Sequence, residues 1–247
     1  MILDKIVDQK RKELEKLKSP RKSLFKALSE PAITVIGEIK RASPSKGIIK
    51  EDFDPVEQAR KYEEGGAGAI SILTDRTFFK GDEEILRTVR KSTDLPLLRK
   101  DFLIDPLEID RSFFMGADIV LLIAAILTDS MLEEMLLRCK QMGVEALVEV
   151  HNEEELERVL RQKASIIGIN NRDLTTFETD LSTSVRLLKK LDNEKRKDYR
   201  IVSESAIATR SDVERLEEAG ADGILVGESL MRCDDPARMI GQLRGLS

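Results

Sequence analysis

A local pattern that recurs along this chain constrains its fold more than any other feature. Each copy has a helix-like segment, a glycine stop and then a short apolar run, and the clearest copies begin their stops at Gly65, Gly116, Gly143 and Gly220. The apolar runs are continuous, which is typical of parallel strands covered on both faces. Glycine just past a helix accepts the left-handed conformation that ends many helices. The pattern therefore predicts repeated βα units.

Eight strands are predicted, each followed by a helix-like segment. They span residues 33–38, 69–74, 96–100, 119–123, 146–150, 166–170, 200–204 and 223–226. Eight such units in 247 residues favour an α/β fold, and specifically a single (β/α)8 TIM barrel. An open doubly wound sheet would typically carry a G-x-G-x-x-G motif after its first strand, and this chain has none there.

The predicted helices include two that precede the first strand. Helical patterns cover residues 4–17, 23–28, 129–142 and 153–162, and Asp54-Pro55 and Asp105-Pro106 have the residue types of an N-cap and the first helical position. We expect residues 1–247 to form one barrel domain. Residues 1–31 would be an N-terminal helical extension that packs on the barrel, over one of its two ends.

Charge and composition exclude several classes of function. The net charge of −5 argues against nucleic acid or an anionic membrane as the main partner, although a local basic pocket could still hold an acidic substrate. No apolar run approaches the length of a membrane span, and the N-terminus lacks the apolar core of a signal peptide. Cys139, Cys233 and the single histidine, His151, cannot form a recognisable zinc site, so no metal is predicted. These features indicate a reduced, cytoplasmic protein, in which His151 is a structural residue at the end of its strand.

Charged residues cluster where the predicted strands end. In this fold the active site lies at the C-terminal ends of the strands. Glu38 and Lys40 are two residues apart, so they project to the same face of the first strand. Taken alone, the pair has even odds of being an incidental ion pair beside a surface turn. Later strands, however, add Lys100, Glu149, Asn170 and Glu204 to the same end of the barrel. Lysines and carboxylates together form a general acid–base set, because each charge tunes the proton affinity of the others.

Small residues precede helices in the loops after the seventh and eighth strands. Ser205-Ala206 and Gly227-Glu228-Ser229 occupy these positions. Barrels of this kind commonly bind phosphate there, where backbone N–H groups and a helix N-terminus favour an anion. The residues alone therefore predict a phosphosugar enzyme that uses lysines for acid–base chemistry.

Several segments of the chain match one family in order and spacing. They are residues 38–45, 71–74, 79–81, 99–102, 121–123, 148–151, 168–174, 203–205 and 226–231. Together they resemble indole-3-glycerol phosphate synthase, a family of tryptophan biosynthesis. The resemblance implies ring closure of 1-(2-carboxyphenylamino)-1-deoxyribulose 5-phosphate to indole-3-glycerol phosphate, with release of CO2 and water. It also implies a cytoplasmic monomer that needs no cofactor, and it leaves association with other tryptophan-pathway enzymes open.

The resemblance also implies roles for the charged residues. Lys100 would be the general acid at the substrate carbonyl, and Lys40 would bind the anthranilate carboxylate and act as an acid later. Glu149 would handle the proton transfers of dehydration, and Glu38 would hold the lysines in position. Asn170 and Glu204 would orient the sugar hydroxyls and the lysine network. The division of acid and base roles among Lys40, Lys100 and Glu149 stays open.

Phosphate and ring contacts follow from the same resemblance. The implied phosphate contacts are Ser43, Ser205, Ala206, Gly227 and Glu228, and the implied lining of the anthranilate pocket is Phe79, Phe102 and Leu174. One position departs from the family, which usually has Glu-Ser-Gly where this chain has Glu204-Ser205-Ala206. If the backbone there needs a positive φ, alanine costs roughly 1 kcal/mol and its methyl group could hold phosphate back.

Three alternatives compete with this assignment. A barrel lysine can also be the covalent nucleophile of a Schiff-base aldolase, which the Glu38/Lys40 pair and the turn after it disfavour. A phosphoribosyl isomerase would be expected to use paired carboxylates or a Cys/Asp pair in place of these lysines. A degenerate barrel that only binds phosphosugars would be expected to have lost the charges at the strand ends.

Overall fold

The computed structural model describes residues 2–17, 21–44, 46–173, 176–191 and 193–246. Eight parallel strands close into a barrel in which neighbours in the chain are neighbours in the sheet. The strands are β1 (Thr34–Ile39), β2 (Ala69–Leu73), β3 (Leu97–Lys100), β4 (Ile119–Ile123), β5 (Glu145–Val150), β6 (Ile166–Asn170), β7 (Arg200–Glu204) and β8 (Gly223–Val226). The prediction of a (β/α)8 TIM barrel is confirmed, and every predicted strand boundary lies within one residue of the observed one.

Two helices precede β1, and the others follow the strands and form the outer layer. The helices are α1 (Ile2–Leu17), α2 (Leu24–Ala27), α3 (Pro55–Glu64), α4 (Glu83–Arg90), α5 (Leu107–Met115), α6 (Asp129–Met142), α7 (Glu153–Arg161), α8 (Ser182–Leu188), α9 (Arg210–Ala219), α10 (Glu228–Arg232) and α11 (Pro236–Leu243). Short 3-10 turns cover Ala124–Ile126 and Asn193–Asp198. After β1, Ala42–Ser43 pairs with Gly47–Ile48 in a small antiparallel hairpin where the sequence indicated only a turn. None of the helices in the described part of the chain is long and apolar enough to cross a membrane.

The helix ends follow local chemistry, with two differences from prediction. Asp54 caps α3 as expected, because its side chain accepts hydrogen bonds from the backbone N–H groups of residues 56 and 57. Asp105 also accepts a bond, from the N–H of Leu107 at 2.8 Å, but α5 begins at Leu107 and not at the predicted Pro106. The left-handed stop after α3 is Gly66, with φ of 83°, because Gly65 keeps a right-handed φ of −73°.

The N-terminal segment closes one end of the barrel. Leu24 and Leu28, on and just after α2, are buried in the same apolar cluster as the interior side chains of the barrel strands. The Glu145 carboxylate, at the start of β5, accepts hydrogen bonds from the N–H groups of Leu24 at 2.7 Å and Phe25 at 3.1 Å. The Thr34 hydroxyl, at the start of β1, donates to the Ala27 carbonyl at 2.8 Å. Helix α2 therefore covers the end where the strands begin and leaves the end where they finish, here called the rim, free for chemistry.

Candidate active site

Lys100 is the last residue of β3 and lies at the centre of the rim. Its Nζ is 2.8 Å from Glu204 Oε2, on β7, and 3.4 Å from Glu149 Oε2, on β5. Glu149 and Glu204 are 3% and 1% exposed, so both carboxylates lie in the barrel wall and not in solvent. The closed barrel therefore brings together three charged groups that are about 50 residues apart in the chain.

Glu38 and Lys40 form a second ion pair on the same rim. Their Oε1 and Nζ atoms are 2.7 Å apart, and Glu38 is buried at the end of β1. Gly227, after β8, gives this pair its space, because a Cβ at that position would collide with Glu38 Oε1 and lie 3.0 Å from Lys40 Nζ. Gly168, on β6, has the same relation to the Glu204 carboxylate. These two glycines are required by close approach, and the sequence analysis assigned no such role to Gly168.

The carboxylates keep Lys100 charged. Burial alone would lower the pKa of its ammonium group, but the nearby charges of Glu204, Glu149 and Glu38 outweigh burial and raise that pKa. Lys100 is therefore an ammonium ion at neutral pH. A protonated lysine in a site that excludes water is a suitable proton donor to a substrate oxygen.

The two carboxylates beside Lys100 have different proton affinities. Burial would raise the pKa of Glu149, but Lys100 and His151 outweigh it and the pKa is lowered. Burial raises the pKa of Glu204, and the neighbouring negative charge of Glu149 adds to that rise against the opposing effect of Lys100. Environments that push the pKa values of two carboxyl groups apart mark one as a base and the other as an acid. Here Glu149 is the carboxylate and Glu204 holds a proton more readily.

His151 belongs to this charged network. Its Nε2 lies 3.2 Å from Glu149 Oε1 and its Nδ1 lies 3.1 Å from Glu155 Oε2, on α7. Burial would lower the pKa of the imidazole, but the two carboxylates outweigh it and raise the pKa to about 9. That His151 is a structural residue at the end of its strand stays a prediction, and the structure adds that its imidazole pairs with two carboxylates. A signal for this pairing was present, because Glu149 is on β5 and His151 follows directly after that strand, the same two-residue spacing that singled out Glu38 and Lys40.

We expect this imidazolium to make stability depend on pH. The folded pKa of about 9 lies above the usual value of 6.5, so the contribution of His151 is complete below about pH 6.5 and is lost as pH rises through 9. The difference in melting temperature between the wild type and His151→Gln should therefore be largest near pH 6 and shrink towards pH 9.5. Thermal denaturation of both proteins across this range is the measurement. A difference that grows with pH would contradict the assignment of a charged imidazole.

The loop after β7 has an unusual backbone. Ser205 has a φ of 66° and Ala206 a φ of 61°, so two consecutive residues other than glycine are left-handed. The Ser205 hydroxyl donates to Asn170 Oδ1, on β6, at 2.9 Å. The sequence analysis made the cost of alanine at position 206 depend on a positive φ, and the φ there is positive. Alanine therefore occupies a position where its Cβ is strained.

Replacement of this strained alanine gives a direct prediction. We expect Ala206→Gly to raise the free energy of unfolding by about 0.5–1 kcal/mol, because glycine adopts a positive φ without a steric penalty. Ala208→Gly is the matched control, since Ala208 is two residues away and has no positive φ. The control should lower stability slightly, as glycine does in ordinary backbone. Urea denaturation of the wild type and the two variants gives the three free energies of unfolding. A lower value for Ala206→Gly than for the wild type would contradict backbone strain at Ala206.

The remaining predicted residues surround this centre. Ser43 lies in the hairpin after β1, and Glu228 is the first residue of α10, where its side chain pairs with Arg232 at 3.1 Å. Phe79 and Phe102 meet with ring centroids 6.1 Å apart, so the structure brings these two predicted pocket residues together. Leu174 lies outside the described residues. Among the residues that are described, no group of three or more His, Cys, Asp or Glu side chains could hold a metal ion.

The closed barrel and the lysine–carboxylate rim define a TIM-barrel enzyme. The family model for indole-3-glycerol phosphate synthase matches residues 3–243. An indole-3-glycerol phosphate synthase of Petrotoga mobilis is 48% identical over 98% of this chain and 96% of its own length. One of Bacillus thuringiensis subsp. konkukian is 50% identical over 93% of this chain and 92% of its own length. The chain belongs to the indole-3-glycerol phosphate synthase family, whose members are carboxy-lyases.

Solved structures of low sequence identity share the fold. A 3-hexulose-6-phosphate synthase from Salmonella typhimurium superposes with a TM-score of 0.69 at 13% identity, over 87% of this chain and 98% of that one. A thiamine phosphate pyrophosphorylase from Pyrococcus furiosus gives a TM-score of 0.65 at 19% identity, over 91% of this chain and 97% of that one. At these identities the likeness concerns the barrel alone.

Proposed function

We propose that this protein closes the indole ring of 1-(2-carboxyphenylamino)-1-deoxyribulose 5-phosphate, giving indole-3-glycerol phosphate, CO2 and water. The observation that carries the proposal is Lys100, a lysine held as an ammonium ion among three carboxylates at the barrel rim. Family membership supports the same substrate. The substrate has a carboxylate, a ketone and a phosphate, and the rim offers a separate group of residues for each.

The first step is attack of the anthranilate ring on the substrate ketone. As the new carbon–carbon bond forms, the ketone oxygen gains negative charge, and Lys100 donates a proton to it. Glu204, 2.8 Å from Nζ, is the nearest group able to return a proton to the lysine, and its raised pKa suits that role. Burial strengthens this step, because charges interact more strongly where water is excluded.

The substrate carboxylate is assigned to Lys40. Glu38 holds the Lys40 ammonium at 2.7 Å and leaves its other N–H donors free to turn towards a ligand. Loss of this carboxylate as CO2 restores the aromaticity of the ring. Lys40 then remains as a second cation close to the reacting carbons, where it can supply a proton late in the reaction.

Glu149 is assigned to dehydration. Its lowered pKa makes it a carboxylate, so it can accept the proton that leaves carbon as the hydroxyl group departs as water. His151 Nε2 and Lys100 Nζ lie 3.2 and 3.4 Å from its two oxygens, so this carboxylate has a cation beside each oxygen. Asn170, between Glu149 and Ser205, would orient the sugar hydroxyls.

Binding of the two ends of the substrate is assigned to opposite parts of the rim. The phosphate is assigned to the loops after β7 and β8, with Ser43 from the hairpin completing the site. Its contacts there are Ser205, Ala206, Gly227 and Glu228. The anthranilate ring is assigned to the side with Phe79 and Phe102, together with Leu174.

The charge of Lys100 also weighs against a Schiff-base aldolase. A covalent lysine nucleophile must lose its proton, and enzymes achieve this with a lowered pKa. Here the carboxylates raise the pKa of Lys100, which favours proton donation over nucleophilic attack.

A fluorescence assay tests the proposal. Purified protein is mixed with the synthetic aminodeoxyribulose phosphate, and formation of indole-3-glycerol phosphate is followed by its emission. Absence of product would refute the assignment. Borohydride treatment in the presence of substrate is the companion experiment, and a covalent adduct on Lys100 would support the aldolase instead.

We further propose that the protein acts as a single-domain monomer in the cytoplasm. Burial of Leu24 and Leu28 against the barrel supports treating residues 21–31, the part of the extension around α2, as belonging to the same domain. Cys139 and Cys233 are free thiols, as is usual in a reducing compartment. A mass measurement in solution that gives a dimer would contradict the monomer.

A further inference from the structure

Asn170 and Asn171 are consecutive residues at the end of β6, and the mechanism above uses only Asn170. Asn170 faces the rim, and Asn171 lies one residue on, so its side chain points to the opposite face of the sheet. Asn171 is 2% exposed. A buried amide with four hydrogen-bonding positions needs partners, and those of Asn171 lie at the end of β7, in the loop after it and on α8.

The Asn171 side chain has partners on both of its sides. Its Oδ1 accepts from the backbone N–H of Ser184, on α8, at 2.9 Å. Its Nδ2 lies 3.0 Å from the Glu204 carbonyl oxygen and 3.1 Å from the Ser205 carbonyl oxygen, and 2.9 Å from Ser203 Oγ. The backbone N–H fixes one side as the acceptor and the carbonyls fix the other as the donor, so the amide has only one possible orientation.

The backbone of Asn171 makes a further bond to the end of β7, just before this loop. Its N–H donates to the Glu204 carbonyl oxygen at 2.9 Å. Ser205 is therefore held from two directions. On the rim its hydroxyl bonds to Asn170, and behind the sheet its carbonyl bonds to Asn171.

The loop needs such contacts because its backbone is strained. Ser205 and Ala206 are both left-handed, and residues with a Cβ keep that conformation only when their surroundings impose it. The bond from Asn171 to the Ser205 carbonyl acts on the peptide that joins these two residues. It is the contact best placed to set the direction of the Ala206 N–H group.

We infer that Asn171 is a positioning residue that holds the loop after β7 in the conformation that receives the substrate phosphate. The inference rests on the proposed function, which places phosphate at Ser205 and Ala206. An amide suits this role, because its NH2 group donates to the carbonyls of Glu204 and Ser205 while its oxygen accepts from the N–H of Ser184. Leucine has a similar size and offers neither.

The experiment compares Asn171→Leu with a control from the same buried network. Ser184→Ala removes the 2.7 Å bond between the hydroxyls of Ser184 and Ser203 and leaves the contacts between Asn171 and the loop carbonyls in place. Glycerol 3-phosphate serves as the phosphate probe, and its Kd is measured by calorimetry. We expect the Kd to rise about tenfold in Asn171→Leu, as expected for a lost hydrogen bond, and to stay within about twofold in Ser184→Ala.

The Ala206→Gly background supplies a readout that a merely structural residue would not change. Glycine takes the left-handed conformation without strain, so there the effect of Asn171→Leu should fall from about tenfold to about threefold. Equal Kd values in Asn171→Leu and Ser184→Ala would overturn the inference, and so would an undiminished effect in the glycine background. Asn171→Asp is the second variant if the leucine protein does not fold. It keeps the size and the acceptor but places an oxygen against the loop carbonyls, and a wild-type Kd there would also overturn the inference.

The wild-type protein separates this inference from the proposed function. A wild type that makes product, with phosphate affinity unaffected by Asn171→Leu, refutes the positioning role and leaves the function standing. A wild type that neither makes product nor binds glycerol 3-phosphate refutes both.

Discussion

Lys100→Ala should reduce kcat/KM for ring closure by about 10³-fold or more, because it removes the general acid and the cation that organises the rim. Nζ pairs with Glu204 at 2.8 Å and with Glu149 at 3.4 Å, and alanine leaves both carboxylates without this cation. The measurement is the fluorescence assay under saturating and limiting substrate. Lys91→Ala is the matched control, since Lys91 is an exposed lysine at the end of α4, and it should change kcat/KM by less than about twofold. Near-normal turnover in Lys100→Ala would refute the assignment.

Loss of activity in this variant must be separated from loss of fold. Removal of one partner from a buried ion pair typically costs about 3–5 kcal/mol, because the remaining charge is left uncompensated. A double variant, Lys100→Met with Glu204→Gln, removes a positive and a negative group together. We expect it to recover much of the stability of the wild type and none of its activity. Recovery of turnover in the double variant would mean that Lys100 has only a structural role.

Glu149→Gln should lower kcat by about 10²–10⁴-fold and change KM much less, because an amide keeps the shape of the side chain but cannot accept a proton. The same strand offers a matched control. Glu145→Gln is the same substitution at the start of β5, where the carboxylate bonds to the N–H groups of α2. It should lower stability by about 1 kcal/mol and leave kcat unchanged.

The two glutamine variants must behave in opposite ways for the assignment to hold. Steady-state kinetics and urea denaturation of both proteins give the comparison. A wild-type kcat in Glu149→Gln would remove Glu149 from the chemistry. A large loss of kcat in Glu145→Gln would show that the assay reports on the fold and not on the site.

The strands were predictable because their signal is local. Continuous apolar runs that follow glycine stops depend only on the nearest residues, and the observed boundaries agree within one residue. The error at α5 is also local, since Asp105 bonds to Leu107 and the helix begins there, one residue later than predicted. Which end of the barrel α2 covers could not be predicted from its own residues. It depends on Glu145 and Thr34, which only the closed barrel brings next to it.

The sequence was sufficient to predict which residues line the rim, but not the backbone conformation and hydrogen bonds around them. The barrel rule placed Glu38, Lys40, Lys100, Glu149, Asn170 and Glu204 on one rim, and the structure brings them together there. The sequence could not reveal the sign of φ at Ala206, since that depends on contacts with the neighbouring strand. The role of Asn171 was hidden for the same reason, because its partners are carbonyl groups, which carry no sequence signature.

Strand β5 is only six residues long and has a glutamate near each end. About 13 Å separates residues 145 and 149 along an extended chain, so one carboxylate serves the closed end and the other serves the rim. Substitutions that alter the reaction therefore need not weaken the contacts between β5 and α2 at the closed end of the barrel. A lineage can acquire a new substrate at one end of such a strand while selection preserves the other end for stability. This separation makes the scaffold a favourable starting point for evolution of new catalysts, in nature or in the laboratory.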